Sequence, residues 1–172
     1  MHIVALDGRS GSGKTTLADQ LARRTGCQVL HVENFYPGWE GLDAGSEYLV
    51  REVLVPLREG KSVRTHRWDW HVDQFFAGAL IEPAGLIVIE GCGAISNASR
   101  PLLDVAIWLE ADERIRRARA TTRDGDESWW LGWQAQEDAF YTREQSDRLA
   151  DYVLDADATA DDVLALLRGE RG

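Results

Sequence analysis

A chain of 172 residues, 44% apolar and 28% charged, has the size and composition of one ordinary globular domain, long enough to bury a core unaided. Its 19 basic and 29 acidic side chains leave a net charge of −10, which argues against polymeric nucleic acid as a partner, because that affinity comes from Lys and Arg displacing counterions. No apolar run approaches the roughly 20 residues that cross a bilayer, and the amino end enters Ile3-Val4-Ala5-Leu6 with no basic leader, so the expectation is a cytoplasmic protein with no membrane partner.

Residues 3–6 predict a first strand, and 15–25 a helix closing at Gly26. A second strand is predicted over 28–32. Over 45–58, Leu49, Val50, Val53, Leu54 and Leu57 recur at helical spacing. The unbroken Leu86-Ile87-Val88-Ile89 reads as a strand buried on both faces, and 105–109 as another. From 111 to about 141 the pattern is helical in two parts, separated by the turn-like Asp124-Gly125-Asp126. A short strand at 152–154 follows. Thr159 and Asp162 then have the form of a capping box opening a last helix that carries Val163, Leu164, Leu166 and Leu167. This alternation predicts an α/β protein, three layers α/β/α on a five-stranded parallel sheet, as a single domain over 1–172. Cys27 and Cys92 lack metal-ligand spacing and read as free thiols.

Between the first strand and the first helix stands Gly8-Arg9-Ser10-Gly11-Ser12-Gly13-Lys14-Thr15, a full match to G-x-x-x-x-G-K-[ST]. Glycines let successive amides turn inward as a nest for anionic oxygens, and the helix dipole points at the same place. These eight residues and the following Thr16 are expected to hold ATP. Lys14 would reach the β and γ phosphates, and the Thr15 hydroxyl would ligate Mg²⁺.

Two acids follow strands. Glu33 comes just after the second strand, where ligands bind in open α/β sheets, and could take a proton from an acceptor hydroxyl or orient Mg²⁺. The plainer alternative is a solvated loop acid. Glu90 ends the most apolar strand, and a charge there suits a role at Mg²⁺. Arg114, Arg116, Arg117, Arg119 and Arg123 crowd one predicted helix, with Arg116, Arg119 and Arg123 on one face. Three tryptophans, Trp39, Trp68 and Trp70, lie in the central region, and Trp129, Trp133, Gln136 and Phe140 form a helical stripe that reads as packing.

The ordered set Glu33-Asn34-Phe35-Tyr36, His66-Arg67-Trp68-Asp69-Trp70, Glu90-Gly91 and the arginine-rich 114–124, placed after the phosphate loop, resembles the uridine kinase and phosphoribulokinase group of small-molecule kinases. The resemblance covers about three quarters of the chain. It departs from the group's D-x-F-Y by Glu33 and from its P-x-Y-D-F by Trp68. It implies phosphoryl transfer from ATP to a small alcohol, a nucleoside first. Lys14, Glu33 (as base), Arg119 and Arg123 would be catalytic, Tyr36, Arg67, Trp68 and Asp69 would contact the acceptor, Thr15 and Glu90 would serve the metal, and a helical lid would span about 114–141. A sugar acid, a vitamin precursor or a nucleoside monophosphate are alternative acceptors, Arg67 being the candidate cation for the last. A nucleotide-dependent switch is a further reading, although no N-K-x-D motif is present.

Overall fold

The computed structural model describes residues 1–126 and 128–169. The strands are β1 (His2–Asp7), β2 (Gln28–His31), β3 (Val63–Asp69), β4 (Gln74–Ile81), β5 (Leu86–Glu90), β6 (Val105–Glu110) and β7 (Tyr152–Asp155). Five of them form a parallel sheet in the order β2-β5-β1-β6-β7. Successive side chains of a strand leave on opposite faces. Thus Ile3, Ala5, Ile87, Ile89, Ala106 and Trp108 enter one core, while Val4, Leu6, Val88, Ile107 and Leu109 enter the other. Helices α1 (Lys14–Thr25) and α7 (Ala160–Leu167) close the second core through Leu17, Ala18, Leu21, Ala160 and Val163. The first core is closed by α2 (Leu42–Tyr48), its continuation through α3 (Val55–Arg58), and α5 (Trp130–Glu144). Helix α4 (Glu113–Asp124) follows β6, and a short α6 (Ser146–Leu149) precedes β7. No helix among the described residues is long and apolar enough to cross a membrane.

The end signals act as their chemistry requires. Gly26 takes φ 69° and returns its N–H to Ala22 O at 2.8 Å, and Thr159 and Asp162 complete a reciprocal capping box. Three elements differ from expectation. The second strand stops at His31, and Val32–Phe35 curls into a 3-10 turn. The helix expected over 45–58 begins at Leu42 and widens to a π-helical stretch over Leu49–Leu54. That widening lies just before Pro56, whose ring and missing N–H are incompatible with regular i→i−4 bonding. The third is an antiparallel hairpin of β3 and β4, a region read from the sequence only as an acceptor motif.

At the carboxyl end of β1, the buried Asp7 ties several segments together. Its Oδ1 accepts from Gly8 N (2.7 Å), Gly93 N (3.2 Å) and Tyr141 OH (2.8 Å), and its Oδ2 from Ile95 N (2.7 Å). Burial nevertheless outweighs these bonds and raises its pKa from 3.8 to about 6. The folded state therefore holds this proton more tightly than the unfolded chain does. The resulting stabilisation is fully present below about pH 4 and is lost as pH rises to about 6, with a magnitude of roughly 3 kcal/mol. Denaturant unfolding between pH 4 and 6.5 should show Asp7→Asn flattening that stretch of the stability profile; an identical slope in both proteins would remove the assignment.

Candidate active site

The carboxyl ends of β1, β2 and β5 lie side by side, so whatever follows them converges on one edge of the sheet. After β1 comes the phosphate loop. Gly11 sits at φ 81°, and a Cβ on it would stand 2.3 Å from the carbonyl oxygen of Arg116, so the loop must be bare there to lie against α4. Gly13 caps α1 at φ 101°. The first bond inside α1 runs from Leu17 N to Gly13 O at 3.1 Å, which leaves the amides of Lys14, Thr15 and Thr16 without helical acceptors. Such a helix start favours an anion.

Lys14 is only 6% exposed. Its Nζ donates to Gly8 O (2.6 Å), Arg9 O (3.0 Å) and Ser12 Oγ (3.5 Å). Burial opposes its charge, but the surrounding acidic groups, Glu90, Asp7 and Glu137 among them, more than offset this and raise its pKa. The ammonium is thus held charged inside the loop. Beside it, Thr15 Oγ1 donates to Glu90 Oε2 at 3.3 Å, and Glu90 Oε1 is 2.5 Å from His31 Nδ1. The hydrogen bond to Glu90 is the largest cause of a raised His31 pKa. One hydroxyl and one buried carboxylate in contact form a donor set that fits Mg²⁺, an ion that keeps several waters and takes the rest of its shell from nucleotide phosphates.

These groups open into a cavity of about 950 Å³. One half is the phosphate chamber, walled by Ser10, Gly11, Gly13, Lys14, Thr15, Thr16, Glu90, Arg119 and Arg123. Arg119 Nη1 approaches Gly13, lying 3.8 Å from where a Cβ would stand. Arg123 is held by Asp124 in a two-point contact of 2.6 and 2.8 Å. The rest of the wall is aromatic, Tyr36, Trp39, Trp70, Trp129 and Trp133, and Glu33 also lines the cavity. Trp39 is the hub. Its ring lies 4.9 Å from Trp70, 5.4 Å from Trp129 in a stacked pair, and 6.4 Å from Trp133 edge-on, and it remains 53% exposed. Gln136 fixes it by donating to the Trp39 carbonyl. Glu33 is an exposed residue, yet desolvation of its carboxyl within the cleft, followed by the charge of Glu90, raises its pKa from the ordinary 4.5.

The structure thus brings together Ser10, Gly11, Gly13, Lys14, Thr15, Thr16, Glu33, Tyr36, Glu90, Arg119 and Arg123. Gly8 and Ser12 face Lys14 from within the loop, and Arg9 offers its carbonyl. The Arg9 side chain turns away to α5, pairing with Asp138 at 2.6 Å over the Tyr141 ring. Tyr36 spends its hydroxyl on Cys92 O at 2.6 Å and offers the cavity its ring.

Three expected acceptor residues lie elsewhere. Arg67 is exposed on β3, Asp69 Oδ1 caps the hairpin turn by accepting from His71 N at 2.9 Å, and Trp68 packs between β4 and the Gly38 turn. Trp70 lies just past the end of β3, in the hairpin turn, and lines the cavity, whereas Arg67, Trp68 and Asp69 within the strand do not. Trp68 Nε1 is buried with no hydrogen-bond partner among the described residues.

Arg116 is also not a site arginine. It is buried, donates to Ala111 O and Ser10 O, and lies over the Trp130 ring, which pins α4 to the loop. Sequence reasoning missed Asp7, His31, Cys92 and Glu137. The signal available was the spacing of Trp133, Glu137 and Tyr141 at i, i+4 and i+8, a polar stripe along α5.

A family model described as an AAA domain matches residues 4–154. The uridine kinase of Macrococcus caseolyticus is 28% identical over 143 residues, covering 73% of this chain and 69% of that protein. Uridine-cytidine kinase A of Dictyostelium discoideum is 26% identical over 144 residues, 71% of this chain but 28% of its own length. Among solved structures, a possible uridine kinase from Bacillus stearothermophilus superposes with a TM-score of 0.68 over 90% of this chain and 88% of that one, at 21% identity. Shikimate kinase from Acinetobacter baumannii superposes with a TM-score of 0.54 over 99% and 95%, at 16% identity.

Proposed function

The chain belongs to the AAA-domain family, and on that premise we propose that it transfers the γ-phosphoryl group of ATP to a hydroxyl of a nucleoside. The observation that carries this reading is one cavity lined together by the phosphate loop, the Glu33 carboxylate and a cluster of aromatic rings. Relatives named uridine kinase support the choice of nucleoside.

Bound Mg²⁺-ATP supplies the phosphoryl group and the metal that neutralises its oxygens. The loop amides and the Lys14 ammonium hold the phosphates, Thr15 and Glu90 hold the metal, and Arg119 and Arg123 face the transferring group to stabilise its spreading charge. Glu33 accepts the acceptor's proton. The indoles of Trp39, Trp70, Trp129 and Trp133 exclude water and stack on a flat ring. The monophosphate reading loses its candidate cation, because Arg67 stands outside the cavity.

ATP consumption should depend on added uridine or cytidine; consumption at the same rate without any acceptor would mean an ATPase instead. Trp39→Ala should raise the acceptor KM by about 5–150-fold, as the loss of roughly 1–3 kcal/mol of stacking requires, with the KM for ATP nearly unchanged. An unaffected acceptor KM would move the acceptor out of the aromatic chamber.

A further inference from the structure

Glu137 is a carboxylate only 1% exposed, and no step above uses it. Its Oε1 accepts from the Ser10 amide at 2.6 Å, from the Trp133 indole N–H at 3.0 Å and from the Cys92 thiol at 3.3 Å. Its Oε2 lies 3.7 Å from Arg9 Nη1. Taking a carboxylate out of water is costly unless donors replace the hydration, and these donors do so.

Their locations carry the argument. Ser10 belongs to the phosphate chamber, Trp133 to the wall of the aromatic chamber, and Cys92 to the segment that follows Glu90, and all three line the one cavity. A single oxygen takes a bond from each. An amide of an anion-binding loop is therefore held by an anion of the protein itself, and the group holding it also holds the indole. Four residues further along α5, Tyr141 bonds Asp7 and lies 3.4 Å from Gly8 O, so this helix face grips the loop at two successive points.

We propose that Glu137 is a positioning residue that links the two chambers, fixing the Ser10 amide of the phosphate loop in register with the Trp133 wall. Displacement of the indole shifts the shared carboxylate, and the loop amide moves with it, so the acceptor's seat and the phosphate nest are set together. The acceptor half of this statement rests on the reading under Proposed function; the link itself does not.

The test reads nucleotide binding with no acceptor present. Calorimetry with Mg²⁺ and the non-hydrolysable analogue AMP-PNP would compare wild type with Glu137→Gln, Trp133→Phe and the double variant. Gln keeps one acceptor oxygen and the shape but loses the charge; Phe keeps one aromatic ring and loses the N–H together with the indole's second ring. We expect Kd to rise about tenfold in Glu137→Gln and about threefold in Trp133→Phe, and the double variant to match Glu137→Gln, since two residues acting as one unit do not add. Additive losses would overturn the link, as would a Kd within twofold of wild type in either single variant. Tighter binding in Glu137→Gln, the sign expected if the charge merely repelled phosphates, would overturn it too. Should Glu137→Gln fail to fold, Trp133→Phe decides alone, by whether an indole in the acceptor wall alters nucleotide affinity. If uridine is not phosphorylated but these shifts occur, the nucleoside assignment falls and the link stands.

Discussion

Replacing Lys14 with alanine should reduce turnover by at least about 10³-fold, equivalent to roughly 4 kcal/mol of transition-state stabilisation, while the protein still folds. The ammonium is buried and already bonded to Gly8 O and Arg9 O, so its position is fixed before any nucleotide arrives. A preorganised cation costs no reorganisation when charge develops on the phosphoryl oxygens. In alanine the carbonyls lose that donor, and Asp7, Glu90 and Glu137 lose the nearby positive charge they share. Stability should therefore fall as well, by about 1–3 kcal/mol, from unmet hydrogen bonds and uncompensated acids. Lys14→Met separates the two effects: it retains the apolar stem and restores packing, yet should remain as inactive as alanine. Steady-state turnover with thermal melting of both variants checks this. Turnover within tenfold of wild type in Lys14→Met would show that the lysine does not face the transferring group.

The phosphate loop and its flanking elements were legible because each requirement is local. Glycines at fixed spacing, a lysine, a hydroxyl residue, a preceding apolar run and a following helix all fall within the stretch from Ile3 to Thr25. Parallel strands buried on both faces are similarly visible, since Leu86-Ile87-Val88-Ile89 has no polar face to alternate with. The β3–β4 hairpin was hidden for the opposite reason. Most of β4 is exposed on both faces, including Phe75, Phe76 and Leu80, so period-two burial is absent, and the tryptophans drew attention as a motif.

The same hairpin bears on the site. The run from Arg67 to Trp70 reads as one acceptor surface, but β3 ends at Asp69, and only Trp70, in the turn beyond it, lines the cavity. The arginine-rich helix posed a different problem. Arg116, Arg119 and Arg123 share a face by spacing, but the sequence does not show that α4 approaches Gly11 closely enough to bury the first of them. Likewise, the stripe of Trp133, Glu137 and Tyr141 becomes meaningful only when the chain, after more than 120 intervening residues, lays α5 beside the phosphate loop. Polar contacts between segments so distant in sequence have no local signature.

The second large effect is expected at Glu33, where the glutamine variant should lose about 10²–10³-fold in kcat with little change in the KM for ATP. Glu33 lines the same cavity as Thr15, Glu90 and the aromatic rings and feels the charge of Glu90, which suits a group that meets an acceptor hydroxyl. A base works only when deprotonated, so kcat should rise with pH through the pKa of this carboxyl. Desolvation and the charge of Glu90 raise that pKa, with His31 and Arg123 pulling the other way, and the acid limb should therefore lie above 4.5. Glutamine keeps the hydrogen-bonding shape but cannot take the proton, so the limb should vanish along with the rate. Glu33→Asp keeps the carboxylate and draws it back by one methylene. It should retain a fraction of the activity and preserve the limb, because its chemistry is intact and only its reach is shortened. If the glutamine variant kept the same acid limb as wild type, the titrating group would have to be another. If instead kcat and nucleotide affinity fell together in Glu33→Gln, Glu33 would belong with the metal and phosphate contacts, and the proton would have to leave by way of the transferring group's own oxygens.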